Sequence, residues 1–194
     1  MKDAAVQDKQ NAILQSAWQA FATYGYRKTS MDDIARGAGM SRPAVYLHYR
    51  NKDDIFRSLV QHYYDTAADA VAVALRRDAT PDSVLAAAFD AQLGDTMEAM
   101  LTSPHGMELL DTGVAMAADI KAAGESRLAA LYAAWLRRAA TNGRIRLPEP
   151  AEQVAGTIAA ALKGVKANGS DFATVRARLT ILARLIGQGL AADR

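Results

Sequence analysis

The chain has 194 residues, 51% of them hydrophobic and 23% charged, with no cysteine and a formal net charge of +2. That length gives room for one compact domain, or for a small domain fused to a larger one, with enough apolar surface for a core. The absence of cysteine excludes disulfides and thiolate metal sites, and apolar runs broken by charge argue against a membrane span. Residues 1–10 lack the apolar core of a signal peptide, so a cytoplasmic protein is expected. Alanine supplies much of the hydrophobic fraction, and it is the best helix former, so an all-α fold is expected. Charge is uneven: residues 1–60 carry nine Lys or Arg against six Asp or Glu, and residues 61–194 carry fourteen against fifteen. A basic N-terminal unit on a near-neutral body fits a protein that meets phosphate with one end.

The most informative stretch runs from Thr29 to Lys52. Ser30 and Asp33 form a capping box that opens a helix at Met31, Ile34 and Ala38 share a face one turn apart, and Gly39 stops it. Ser41 caps a second short helix whose first turn accepts Pro43. A short helix, a glycine turn and a second helix make a helix-turn-helix, which lays its second helix in the DNA major groove. Asn51 and Asp54 then cap a long helix running to about Arg77, with Phe56, Leu59, Tyr63, Ala67, Ala70 and Ala74 on its apolar side. Thr80-Pro81 opens the next helix, to about Leu101, and Ser103-Pro104 another. Gly113 and Gly124 blur the boundaries that follow, and a stripe of Leu128, Leu131, Tyr132, Trp135 and Ala139 ends at Asn142-Gly143. Two last helices follow Pro150 and Gly169-Ser170-Asp171. The first carries Val154, Ile158, Ala161 and Val165 on one side and Gly156, Ala160 and Gly164 on another. The second carries Val175, Leu179, Leu182, Ile186 and Leu190 in coiled-coil-like spacing, opposite Arg176, Thr180 and Arg184.

Ile13-Leu14, Ser16-Ala17, Ala20-Phe21, Gly25-Tyr26, Thr29-Ser30, Asp33-Ile34-Ala35, Ala38-Gly39-Met40-Ser41, Val45-Tyr46, His48-Tyr49 and Lys52 resemble, in order and without a gap, the N-terminal pattern of the tetracycline-repressor (TetR) family. The likeness covers residues 8–57. It departs mildly at Tyr49, where phenylalanine is common, and at Pro43, where glycine is frequent. The resemblance implies a three-helix helix-turn-helix head over residues 1–51 and a ligand-binding and dimerisation domain over 52–194, about nine helices in all. It also implies a homodimeric regulator of transcription, usually a repressor that a small molecule releases from its operator.

Each part of a DNA contact needs its own residue type, because phosphates supply affinity and base edges supply discrimination. Ser41, Arg42, Pro43 and Ala44 form the first turn of the recognition helix, with Leu47 further along it. Arg42 is the long donor there; its fork can span O6 and N7 of a guanine, or it can meet phosphate. Pro43 and Ala44 can pack on a thymine methyl. Val45 is expected to face inward onto Ile13, Phe21 and Ile34. Tyr46, His48 and Lys52 flank the groove; by resemblance Thr29, Tyr46 and Lys52 match positions that grip the backbone. Packing remains the alternative for Tyr46 and partial burial for His48, while Arg50 is either a phosphate contact or a solvated charge.

The two last helices are the expected homodimer surface, since a twofold pair of recognition helices reads a palindrome. Phe89, Met97, Met100, Met107, Met116, Tyr132 and Trp135 are candidates to line a cavity for an unidentified small molecule, core packing being the plainer alternative. No Gly-x-Ser-x-Gly elbow or phosphate loop occurs, and His48, His62 and His105 lack metal-ligand spacing, so no enzyme, metal or cofactor is expected.

Overall fold

In the computed structural model, which describes residues 2–167 and 171–192, the regular elements among those residues are nine α-helices. They are α1 (Lys2–Tyr24), α2 (Met31–Gly37), α3 (Arg42–Tyr46), α4 (Lys52–Ala74), α5 (Pro81–Thr102), α6 (Gly106–Met116), α7 (Ala118–Thr141), α8 (Ala151–Ala167) and α9 (Phe172–Leu190). The fold is all-α, and none of the described helices is long and apolar enough to cross a membrane. Contacts gather the chain into two compact units: Met1–Tyr63 with Ala99–Lys121, and Tyr64–Glu98 with Ala122–Arg194. The division falls within α4, α5 and α7 rather than at the Asn51–Lys52 junction that sequence reading favours.

The first unit is built on α1. Ile13, Ala17 and Phe21 lie at helical spacing and pack on Ile34, Val45, Ile55 and Phe56, so one stripe of α1 holds α2, α3 and α4 together. Where α1 meets α2, the Ser16 hydroxyl donates to the Ile34 carbonyl at 2.7 Å. A Cβ on Gly37 would collide with that hydroxyl, so only glycine lets the helices close this far. Gly25, at φ +83°, turns the chain out of α1. The unit is completed by α6, far along the chain: Leu109 joins the core, the Ser103 hydroxyl donates to the Ala22 carbonyl, and the Glu108 carboxylate accepts from the Arg27 amide. Arg57 grips Asp119 with both arms at 2.9 and 2.7 Å, and these hydrogen bonds hold that carboxyl down at about 2.

The second unit buries Val71, Leu85, Phe89, Leu93, Tyr132, Leu136, Ile158, Leu162, Val175 and Leu179. Two glycines permit its close crossings. Gly124 lies under Tyr64, and a Cβ on Gly187 would meet the backbone of Asp82 inside 3 Å. Arg176 clasps Asp90 at 2.7 and 3.2 Å, and Arg127 reaches Asp65 and Asp69. On α8 the core stripe is Ala151, Ala155, Ile158 and Leu162, whereas the expected Val154, Ala161 and Val165 are half-buried. Helix α5 is not straight: Gly94 adopts φ +61° and ψ 168°, a break that a periodic reading passes over. Asp171 caps α9, its side chain accepting from Thr174 at 2.8 Å; Gly169 and Ser170, also read as part of that start, lie outside the described residues.

Gly187→Ala should lower the unfolding free energy by about 1–3 kcal/mol through overpacking. Gly189→Ala, two residues on in the same helix and with open space at its Cβ, should leave stability unchanged or raise it by up to about 1 kcal/mol. Urea unfolding of both variants checks the contrast; equal effects would show that propensity rather than the Asp82 contact sets the outcome.

Candidate nucleic-acid interface

The helix-turn-helix is set by local chemistry first. Ser30 caps α2 by accepting from the Asp33 amide, and the Asp33 carboxylate accepts from the Ser30 amide at 3.0 Å and hydroxyl at 2.6 Å. Those bonds pull the Asp33 carboxyl below the usual carboxylate range. Gly39, at φ +64°, makes the turn, and Ser41 caps α3 by accepting from the Ala44 amide. Helix α3 has five residues, too few to be stable alone. It stands because Val45, fully buried, is anchored among Ile13, Phe21 and Ile34 as expected.

That anchoring turns the rest of α3 outward. Ser41, Arg42, Pro43, Tyr46 and Leu47 are exposed, Leu47 at 85%, while Ala44 and His48 are half-buried. Arg42 is not free in solvent: one arm donates to the Asp32 carboxylate at 3.2 Å and another to the Tyr46 hydroxyl at 3.3 Å, with the guanidinium 5.6 Å from that ring. Asp32 lies in the first turn of α2. Its hold on Arg42 joins residues ten apart across the turn and has no periodic signature.

Two expected backbone contacts are placed otherwise. The Thr29 side chain is buried at 2% exposure, and its hydroxyl donates to the carbonyls of Gly25 and Ala20 at 2.8 and 3.2 Å. The Lys52 ammonium, expected at phosphate, is turned onto protein: it donates to the carbonyls of Tyr26 at 2.7 Å and Thr29 at 2.9 Å, and lies 4.3 Å from the Tyr26 ring centre. Tyr26 in turn donates to Asp53 and packs against Phe21, tilted, and Phe56, edge-on, with ring centres 5.3 and 5.2 Å away. Burial, and then the Asp53 carboxylate, push its phenol above the usual range. Arg27 and Lys28 beside this loop are exposed cations, and Arg50 pairs with Asp54 at 2.9 Å. The charges available at this surface therefore include Arg27 and Lys28, which the sequence reading did not single out.

The ligand-lining candidates are divided between the two units. Phe89, Met97, Tyr132 and Trp135 belong to the second unit, where the rings of Phe89 and Tyr132 meet edge-on at 5.9 Å and the Tyr132 hydroxyl donates to Gln92 at 2.8 Å. Met100, Met107 and Met116 belong to the first, and Met107 is 69% exposed, so it lines no enclosed cavity here.

The same N-terminal segment, residues 13–59, matches the family model described as bacterial regulatory proteins, tetR family. Over 84 residues the chain is 31% identical to the transcriptional activator FasR of Mycolicibacterium smegmatis, a match spanning 43% of this chain and 38% of that protein. The transcriptional repressor Rv1474c of Mycobacterium tuberculosis is 28% identical over 153 residues, 74% of this chain and 73% of the relative. The solved structure of SmeT, the repressor of a Stenotrophomonas maltophilia multidrug efflux pump, superposes with a TM-score of 0.66 over 95% of this chain and 91% of that one, at 22% identity. At that identity the likeness speaks to the fold.

Lys52→Ala should lower the unfolding free energy by about 1–3 kcal/mol, because it strands carbonyl acceptors in the loop before α2. Chemical denaturation without DNA tests this; an unchanged stability would mean that the ammonium serves only phosphate.

Proposed function

Because the chain belongs to the tetR family of bacterial regulatory proteins, we propose that it is a cytoplasmic, ligand-responsive repressor that holds a palindromic operator as a homodimer. The observation that carries this reading is the outward face of α3: Ser41, Arg42, Pro43, Tyr46 and Leu47 are exposed while Val45 pins the helix to the core. Recognition follows from that division of labour. Arg42, steadied by Asp32 and Tyr46, is presented with few rotamers to choose from, and on the operator it exchanges the Asp32 carboxylate for O6 and N7 of a guanine. Pro43 and Ala44 offer carbon surface to a thymine methyl; Tyr46, His48, Arg27 and Lys28 serve the backbone. Thr29 and Lys52 act one step back, by fixing the loop from which those cations project.

Dimerisation is supported by the exposed faces of α8 and α9. Gly156 and Gly189 have nothing within 4 Å of where a Cβ would sit, and Ile181 and Leu185 are 55% and 64% exposed. Small residues beside exposed aliphatic ones suit a second copy of the same pair of helices, a four-helix contact about a twofold axis. Two recognition helices about one DNA turn apart, ~34 Å, then read both half-sites. Release follows when a small molecule, held around Phe89, Met97, Tyr132 and Trp135, favours a conformer that does not fit that spacing. The FasR relative is an activator, which favours the opposite sign of regulation as the second reading.

Binding to a palindrome drawn from DNA beside the protein's own gene, compared with a scrambled duplex, tests the proposal; equal affinity for both overturns it. Arg42→Ala should relax discrimination at one base pair per half-site at a cost of about 1–3 kcal/mol, read by competition with single-substituted operators. Ile181→Glu with Leu185→Glu should sediment as a monomer and lose operator binding while keeping full helix content by circular dichroism.

A further inference from the structure

The C-terminal end of α4, the start of α5 and the last turn of α7 enclose a cleft of about 340 Å³ within the second unit. Its floor is apolar and buried: Leu75, Val84, Trp135 and Ile145 are each 6% exposed or less. Around it stand four exposed arginines, Arg76, Arg77, Arg138 and Arg144, and no carboxylate lines the cleft. Arg144 is tied to Asp78 and reaches the Ala79 carbonyl at 3.4 Å. The guanidiniums of Arg76, Arg77 and Arg138 have no ion-pair or hydrogen-bond partner among the described residues.

Guanidiniums near helix C-termini often serve only to answer the dipole and the last carbonyls. Here most of those carbonyls already have a partner. Val71, Val73 and Ala74 accept from the amides of Leu75, Arg76 and Arg77, and Arg138, Ala139 and Ala140 accept from Asn142, Arg144 and Gly143. The positive charge is therefore surplus to capping. It is also concentrated, four cations around one concavity in a chain whose whole net charge is +2. A cleft walled by one sign of charge over a low-dielectric floor focuses its field on whatever enters. Planar forks suit carboxylate or phosphate oxygens, and a buried indole suits a flat or short apolar body.

We propose that this cleft is a binding site for a small organic anion, an aryl or short acyl group carrying a carboxylate or a phosphate. The site belongs to the second unit and the recognition surface to the first, and the inference holds whether or not the operator reading does. Its volume sits at the lower end of small-molecule pockets, which fits a ligand of one ring rather than a multi-ring drug.

The chain has two tryptophans, so Trp18→Phe leaves Trp135 as the reporter in the full-length protein. Phenyl phosphate and benzoate are titrated against its emission, with calorimetry on the wild-type chain as a second readout that does not depend on the Trp18 variant. Saturable binding of either anion, weakened tenfold or more in Arg77→Gln with Arg138→Gln, is the expected result; the stronger of the two identifies the preferred head group. Benzyl alcohol, which has the ring without the charge, should give no saturable response. Three outcomes overturn the proposal: no saturable response to either anion by both readouts, an equal response in the arginine variant, or a benzyl alcohol response as strong as that of the anions.

Discussion

The Lys52 ammonium reaches the carbonyls of Tyr26 and Thr29 and lies over the Tyr26 ring, so the start of α4 and the loop entering α2 are fixed to one another. A single cation can do this because the carbonyls of a loop have no helix or sheet partner of their own and need one. The aromatic contacts among Phe21, Tyr26 and Phe56 continue the same joint into the core, linking α1, the loop and α4. Everything the reading surface needs is referred to that joint: the α2 cap begins at Ser30, one residue beyond Thr29, and α3 is held to α2 across the glycine turn.

Helix α3 shows how little of a recognition element has to be self-supporting. Five residues cannot hold a helix in water, and the cap at Ser41 adds only about 1 kcal/mol. The buried Val45 supplies the rest, and it also decides which residues face outward. In the proposed reading, recognition therefore rests on an aliphatic side chain that is itself fully buried. The Asp32–Arg42–Tyr46 group refines the result by limiting where the one long donor can point.

What the chain made legible beforehand was local. The Ser30–Asp33 box, the Ser41 cap and the Asn51 cap on Asp54 all join residues three apart, and each stands where the pattern placed it. The amphipathic stripe on α7 was readable for the same reason, since helical period is a short-range signal; on α9 Val175, Leu179 and Leu190 are buried as read, but Ala183 and Gly187 take the inner positions and Leu182 and Ile186 are half-buried. Contacts that define the site lie further apart. Asp32 and Arg42 are ten residues apart, Tyr26 and Lys52 twenty-six, Arg27 and Glu108 eighty-one, and no spacing rule encodes such pairs. Thr29 and Lys52 were read as backbone contacts, and the atoms they touch in this structure belong to the protein. The methionines were grouped by residue type, and type carries no information about which compact unit receives them.

The placement of α6 has a practical corollary. Leu109 closes the hydrophobic cluster of the head and Glu108 holds the loop at Arg27, although both come from the middle of the chain. A chimera that grafts residues 1–51 onto another body would sever the head from part of its own core. Exchange of recognition modules between relatives, by engineers or by recombination, has to carry a matching sixth helix along with the first three, so the two segments are constrained to evolve as a pair.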